Sequence, residues 1–165
     1  GVLQHLWDHS IAAAAQVGGI PAGLGARDIL RTEMGYPLHG QDISPSISPL
    51  EAKISWAVGW DKPHFDGKES LQATRAQGAV RKRVALRAVG RGIPRAHMDV
   101  YSDLELHHKI GEITSGTFSP TLKEGIAMAL VDVEHEKLAT MFIDVRGKAL
   151  ESANVSLPFI VATPK

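Results

Sequence analysis

No cysteine occurs among the 165 residues, which excludes disulfides, thiolate catalysis and cysteine-ligated metals. No apolar run is long enough to span a bilayer. The chain opens with Gly1 and shows no targeting segment, so a cytoplasmic location is expected. Neither sign of charge is in excess. The 18 basic and 18 acidic residues cancel, leaving no global field to steer the chain to nucleic acid or to an acidic membrane. Aromatic residues make up only 5%, and none interrupts the one basic run, Arg81, Lys82, Arg83, Arg87, Arg91 and Arg95. That run fits the basic solvent side of a strand better than a polyanion patch. What remains is 44% apolar, enough for one ordinary soluble domain or two small ones.

The chain is organised around Gly23 to Asp42, GLGARDILRTEMGYPLHGQD. Ile29, Leu30 and Met34 sit at helical spacing and can share a buried side. Gly35 stops the helix, and Tyr36-Pro37 forces an extended turn. Asp28 and Arg31 are three apart and can pair on the helix surface. An arginine at the helix start, Arg27, is either a surface charge or a fork for a carboxylate or polar ring. Spacing alone does not choose between them.

Residues 2–16 carry a helical stripe of Val2, Leu3, Leu6, Trp7 and Ile11, ended by Gly18-Gly19. His5 and His9 are four apart, but a two-histidine pair without a third ligand is a weak metal signal, and surface histidines are the expectation. Ser48-Pro49-Leu50-Glu51 has the form of a helix start with a capping box. Ile54 to Val58 reads as a strand, with Trp56 on one face beside Ile54 and Val58. Asp66 is the expected cap of a further helix ending near Gln77-Gly78. From Gly78 onwards strands dominate: Arg83 to Arg87, His97 to Tyr101, Ile110 to Phe118, Ile126 to Val133, Thr140 to Arg146 and Ala153 to Leu157. Their spacing predicts an antiparallel barrel or sandwich, with Met141, Ile143 and Val145 on one face of the fifth. His107 and His108, being adjacent, would point to opposite faces of a strand. Thr114 to Pro120 is rich in hydroxyls. Ser115 has no sequence-evident histidine and acid partners, and the segment is expected to be a structural turn.

The Gly23–Asp42 stretch resembles the signature helix and loop of the glycine cleavage system T-protein family, the folate-dependent aminomethyltransferases. The resemblance continues through SPLEAKISWAVGWDK (48–62), FDGKESL (65–71), GIPRAH (92–97), IGEITSGTFSPTL (110–122), IAMALV (126–131), DVRGK (144–148) and LPF (157–159), in the family's order. It implies an α+β fold. Residues 1–77 would be the C-terminal part of a ferredoxin-like folate-binding region, and residues 78–165 an antiparallel β-barrel domain. The chain would then be a C-terminal fragment of a longer protein.

The implied function is transfer of the one-carbon unit from the aminomethyl-lipoyl arm of the H-protein to tetrahydrofolate, with release of ammonia. Folate demands cationic donors for its glutamate tail and flat apolar surfaces for its rings. By the resemblance, Arg27 matches the family's folate-binding arginine and Trp56 an aromatic residue lining the folate pocket. The family's catalytic aspartate and pterin-binding glutamate lie in the N-terminal half. No catalytic or metal-binding residue is therefore expected here, and the chain alone should be inactive. Some members use a tyrosine near the C-terminus, but Ile160 to Lys165 contains none. The alternatives are another tetrahydrofolate-dependent demethylase on this scaffold, or the folate domain of a sarcosine or dimethylglycine dehydrogenase. A non-catalytic folate-binding scaffold like the iron–sulfur assembly relatives is a further alternative. It is disfavoured because their cysteine motif is absent. The last is a bare interaction module that binds no folate.

Overall fold

The computed structural model describes residues 1–161; residues 162–165, part of the tyrosine-free C-terminal stretch, lie outside the described residues. Three helices precede a barrel: α1 (Val2–Gln16), α2 (Leu24–Glu33) and α3 (Lys68–Gln77). Six strands follow: β1 (Arg81–Ala88), β2 (Asp99–Tyr101), β3 (Lys109–Ser119), β4 (Glu124–Asp132), β5 (Thr140–Asp144) and β6 (Ala149–Val155). The architecture is α+β, and all six strands expected from the sequence are present. Their order, β1-β4-β3-β2-β5-β6, closes through the β1–β6 pairing into an antiparallel barrel. Closure leaves no unpaired edge to aggregate.

Alternation sets the barrel interior. Val84 and Leu86 of β1, Ala127, Ala129 and Val131 of β4, and Met141 and Ile143 of β5 point inwards with Val100, Ile113 and Leu150. The expected inward face of β5 is therefore correct for Met141 and Ile143, each 0% exposed. The opposite face of β4, with Ile126, Met128 and Leu130, is buried as well. The reason is that α2 packs on the outside of β3 and β4. A strand covered on both sides reads as a continuous apolar run, as IAMALV does.

Several local expectations are corrected. Ile54–Val58 is not a strand. Ser55–Ala57 forms one turn of 3-10 helix, closed by Ala57 N–H to Ile54 O, and the Trp60 indole N–H donates to Ser55 O at 2.9 Å. The segment therefore satisfies its backbone locally, and Trp56 stands 83% exposed rather than in a core. The Ser48 capping box does form: Ser48 N–H donates to Glu51 Oε2 at 2.8 Å and Glu51 N–H to Ser48 Oγ at 3.3 Å. No helix propagates, because Glu51 O accepts from Arg83 N–H of β1 at 2.8 Å instead of from the next turn. The cap of α3 is Gly67 at φ 83, not Asp66, which makes no capping bond.

The basic run is only in part a solvated side: Arg87, Arg91 and Arg95 are exposed, while the others are tied down or buried. Arg81 pairs with Glu51 at 2.8 Å, Lys82 Nζ donates to Leu50 O, Arg87 meets Glu124 at 3.3 Å, and Arg83 is buried. His107 and His108 lie in the loop before β3, not on a strand, and both of their backbone N–H groups donate to the Asp103 carboxylate.

Candidate functional site

α2 runs from an extended Gly23 to a left-handed glycine stop. Gly35 N–H donates to Thr32 O at 2.9 Å and Tyr36 N–H to Arg31 O at 2.8 Å, the paired bonds of a Schellman motif. Gly35 has φ +70, and a Cβ there would lie 2.7 Å from Leu157 Cδ2. Glycine is needed on both counts. The Arg83 guanidinium donates from Nη1 to Gly35 O at 3.2 Å, placing a cation at the C-terminal end of α2. Burial lowers the Arg83 pKa and Asp42 opposes that shift. Among the described residues its Nε has no partner.

The side of α2 that meets the barrel carries polar residues, and of the expected apolar side Ile29 and Met34 are only half-buried. Thr32 and Glu33 are buried, whereas Leu30 is 61% exposed. Arg31 is the hub. It donates to Asp28 Oδ1 from Nε at 2.8 Å, to Asp42 Oδ2 at 2.7 Å and to Ser115 Oγ at 2.8 Å. The fully buried Asp42 carboxylate also accepts from Thr114, Ser115 and Leu38 N–H. Glu33 accepts from Ser119 Oγ. The expected Asp28–Arg31 pair is present, as part of a larger seam.

A β-bulge builds the barrel's half of that seam. Ile113 pairs with Ala129 and Ser115 with Met128, so Thr114 is an extra residue. The bulge shifts the alternation, and Ser115, Thr117 and Ser119 turn from the interior to the outer face under α2. Thr114–Pro120 is thus mainly strand rather than the expected turn. The turn follows it, where Leu122 N–H reaches Ser119 Oγ and Lys123 N–H reaches Ser119 O.

Arg27 lies one turn before Arg31 and is exposed. Its side chain makes no ion pair or hydrogen bond among the described residues, although its backbone N–H donates to Gly23 O. It lines a shallow groove with Ala26, Leu30, Met34, Tyr36 and the stem of Arg31. Trp56 does not line this groove. The structure therefore does not bring the two folate candidates together in one pocket. The His5 and His9 rings lie 4.3 Å apart, and among the described residues no group of three or more His, Asp or Glu is placed to hold a metal.

Sequence reasoning missed the seam residues Asp42, Glu33, Ser115 and Ser119. The alternation of hydroxyls at 115, 117 and 119 was the available signal, obscured by the bulge.

In class, this is an α+β protein whose closed antiparallel barrel follows, and is bolted to, a helical segment. Comparison with known proteins narrows the class. Residues 81–160 match the glycine cleavage T-protein C-terminal barrel domain, and residues 2–62 match the GCVT N-terminal domain. The chain is 52% identical over 160 residues to an aminomethyltransferase of Parafrankia sp. (strain EAN1pec), covering 97% of this chain and 43% of that protein. It is 49% identical over 157 residues to that of Mycobacterium avium (strain 104), covering 94% and 42% respectively. The crystal structure of glycine cleavage system aminomethyltransferase T from Bartonella henselae superposes with a TM-score of 0.78 at 35% identity, over 84% of this chain and 39% of that one. The chain belongs to the glycine cleavage T-protein family, and it spans less than half the length of the curated relatives it matches.

Proposed function

We propose that this chain is the C-terminal part of an aminomethyltransferase that passes a one-carbon unit from the aminomethyl-lipoyl H-protein to tetrahydrofolate and releases ammonia. In this reading residues 1–77 complete the folate-binding domain, residues 78–165 are the barrel domain, and the protein works in the cytoplasm. The observation that carries the reading is the division of labour on α2. Arg31 is saturated by internal partners, while Arg27, on the same groove, has none among the described residues. A guanidinium kept unpaired at a groove is available to fork onto a carboxylate or a polar ring edge. The exposure of Trp56 favours a surface for stacking over a role in packing. In this reading Trp56 covers folate contributed to by the preceding half of the protein, and the catalytic groups reside in that half. The 165-residue chain alone then releases no ammonia.

The test is calorimetric binding of tetrahydrofolate to the full-length protein, as wild type and Arg27→Ala. Loss of a charge-assisted hydrogen bond costs about 1.5–3 kcal/mol, roughly ten- to a hundred-fold in affinity. Equal binding by both would remove Arg27 from the site. Absence of wild-type binding would remove folate from the function.

A further inference from the structure

We infer that Ser115, on the outer face of β3, is a positioning residue for Arg27, acting through Arg31 and Asp42; this rests on the reading of Arg27 as the folate arginine. Ser115 is 1% exposed, and its hydroxyl accepts from Arg31 Nη1 while donating to Asp42 Oδ2, each at 2.8 Å. Thr114 reaches the second Asp42 oxygen, and Ser119 holds Glu33 at the end of the helix. None of these hydroxyls serves the barrel interior, which is filled by Ile113, Ala127, Ala129 and their neighbours. The bulge at Thr114 turns them towards α2.

Arg27 and Arg31 are four residues apart, so they share one face of the helix. Arg31 is fixed by Asp28 of its own helix and by a carboxylate and a hydroxyl from two further segments, Asp42 and Ser115. Arg27 has no side-chain partner among the described residues, so only the helix sets its direction. The β3 hydroxyls, together with Arg83 of β1 at Gly35 O, set the rotation and depth of α2, and with them the aim of the Arg27 fork. The barrel therefore acts on ligand binding without touching the ligand. A bidentate contact tolerates little misplacement, which makes affinity sensitive to the seam.

The test is a double-mutant cycle on the full-length protein, read as the tetrahydrofolate Kd by calorimetry well below the Tm of every variant. Ser115→Ala is expected to weaken binding about five-fold or more. Ser152→Ala removes a buried barrel hydroxyl that, among the described residues, bonds only Leu150 O, and is expected to change Kd less than about two-fold. Placed in an Arg27→Ala background, Ser115→Ala should add nothing further. Thr114→Val, a second route to the same seam, should follow Ser115→Ala in direction. The proposal is overturned if Ser115→Ala binds like wild type while Arg27→Ala is weak, or if the two losses simply add. If Arg27→Ala itself binds like wild type, the Arg27 reading fails and the positioning role falls with it.

Discussion

At the residue scale, the seam under α2 turns on whether buried charges keep their partners. Asp42 has a fully buried side chain, and Arg31 is its nearest cation at 2.7 Å. Arg31→Met takes from that buried carboxylate its one ion-pair partner among the described residues, and should destabilise the protein by about 3–5 kcal/mol. Adding Asp42→Asn should recover part of the loss, because the second substitution removes the carboxylate that has lost its ion-pair partner. Urea denaturation of the two single variants and the double variant measures the coupling. Strict additivity would mean that the ion pair contributes nothing beyond its separate halves. Glu33 gives a milder case. Ser119→Ala removes the hydroxyl donor to a carboxylate that is 1% exposed, at a cost of about 1–3 kcal/mol. These residues were half legible in the sequence. The Asp28–Arg31 pair followed from helical spacing alone. Its extension to Asp42 and Ser115 did not, because those contacts join residues 11 and 84 positions away. No local pattern encodes them.

At the scale of elements, helix stops and strand spacing were read well, whereas helix starts and single turns were not. The six strands show in the sequence because alternation over a closed barrel leaves a clear apolar set. Ile54–Val58 has the same alternation but no neighbouring strand to pair with, so it collapses into a local turn. The Gly35 stop of α2 was legible because only glycine accepts its backbone at low cost. Gly35→Ala should cost more than Gly40→Ala. Both have positive φ, but a Cβ at 40 meets nothing within 4 Å, whereas one at 35 meets Leu157. Equal losses of Tm in the two variants would show that Leu157 yields freely.

The turn at Ser48–Glu51 carries a pH signature. Burial alone would raise the Glu51 pKa. The Ser48 N–H, the Arg81 guanidinium and the Ser48 hydroxyl together outweigh it and hold the carboxyl below its ordinary value of 4.5. A depressed carboxyl stabilises the fold above its unfolded pKa, and the contribution is lost as pH falls through the lower folded value. Wild type should therefore lose Tm more steeply than Glu51→Gln as pH drops below about 4.5, the two converging in stronger acid. Parallel curves would show that Glu51 does not link this turn to protonation.

At the scale of the whole molecule, stability is unevenly distributed, and the distribution follows from what each element buries. β3 and β4 are covered by the barrel interior on one side and by α2 on the other, and β4 keeps seven consecutive residues buried. α1 buries none of its residues, and its apolar stripe leaves Val2 88%, Leu3 82% and Trp7 59% exposed. A helix of 15 residues without tertiary packing is marginal in water. Native-state hydrogen exchange on this chain should therefore find the α1 amides exchanging within a few-fold of the unstructured rate. The central amides of β3 and β4 should exchange only through global unfolding. α2 decides how far the barrel's order spreads, since Arg31, Glu33 and Arg83 tie it to β3 and β1. If the seam works as its geometry implies, α2 exchanges with the barrel in wild type and detaches from it in Ser115→Ala, while β4 keeps its protection. An α2 that exchanges like α1 in wild type would show that the buried hydrogen bonds of Arg31, Glu33 and Arg83 do not join the helix to the barrel, and would leave Arg27 on a helix that nothing aims.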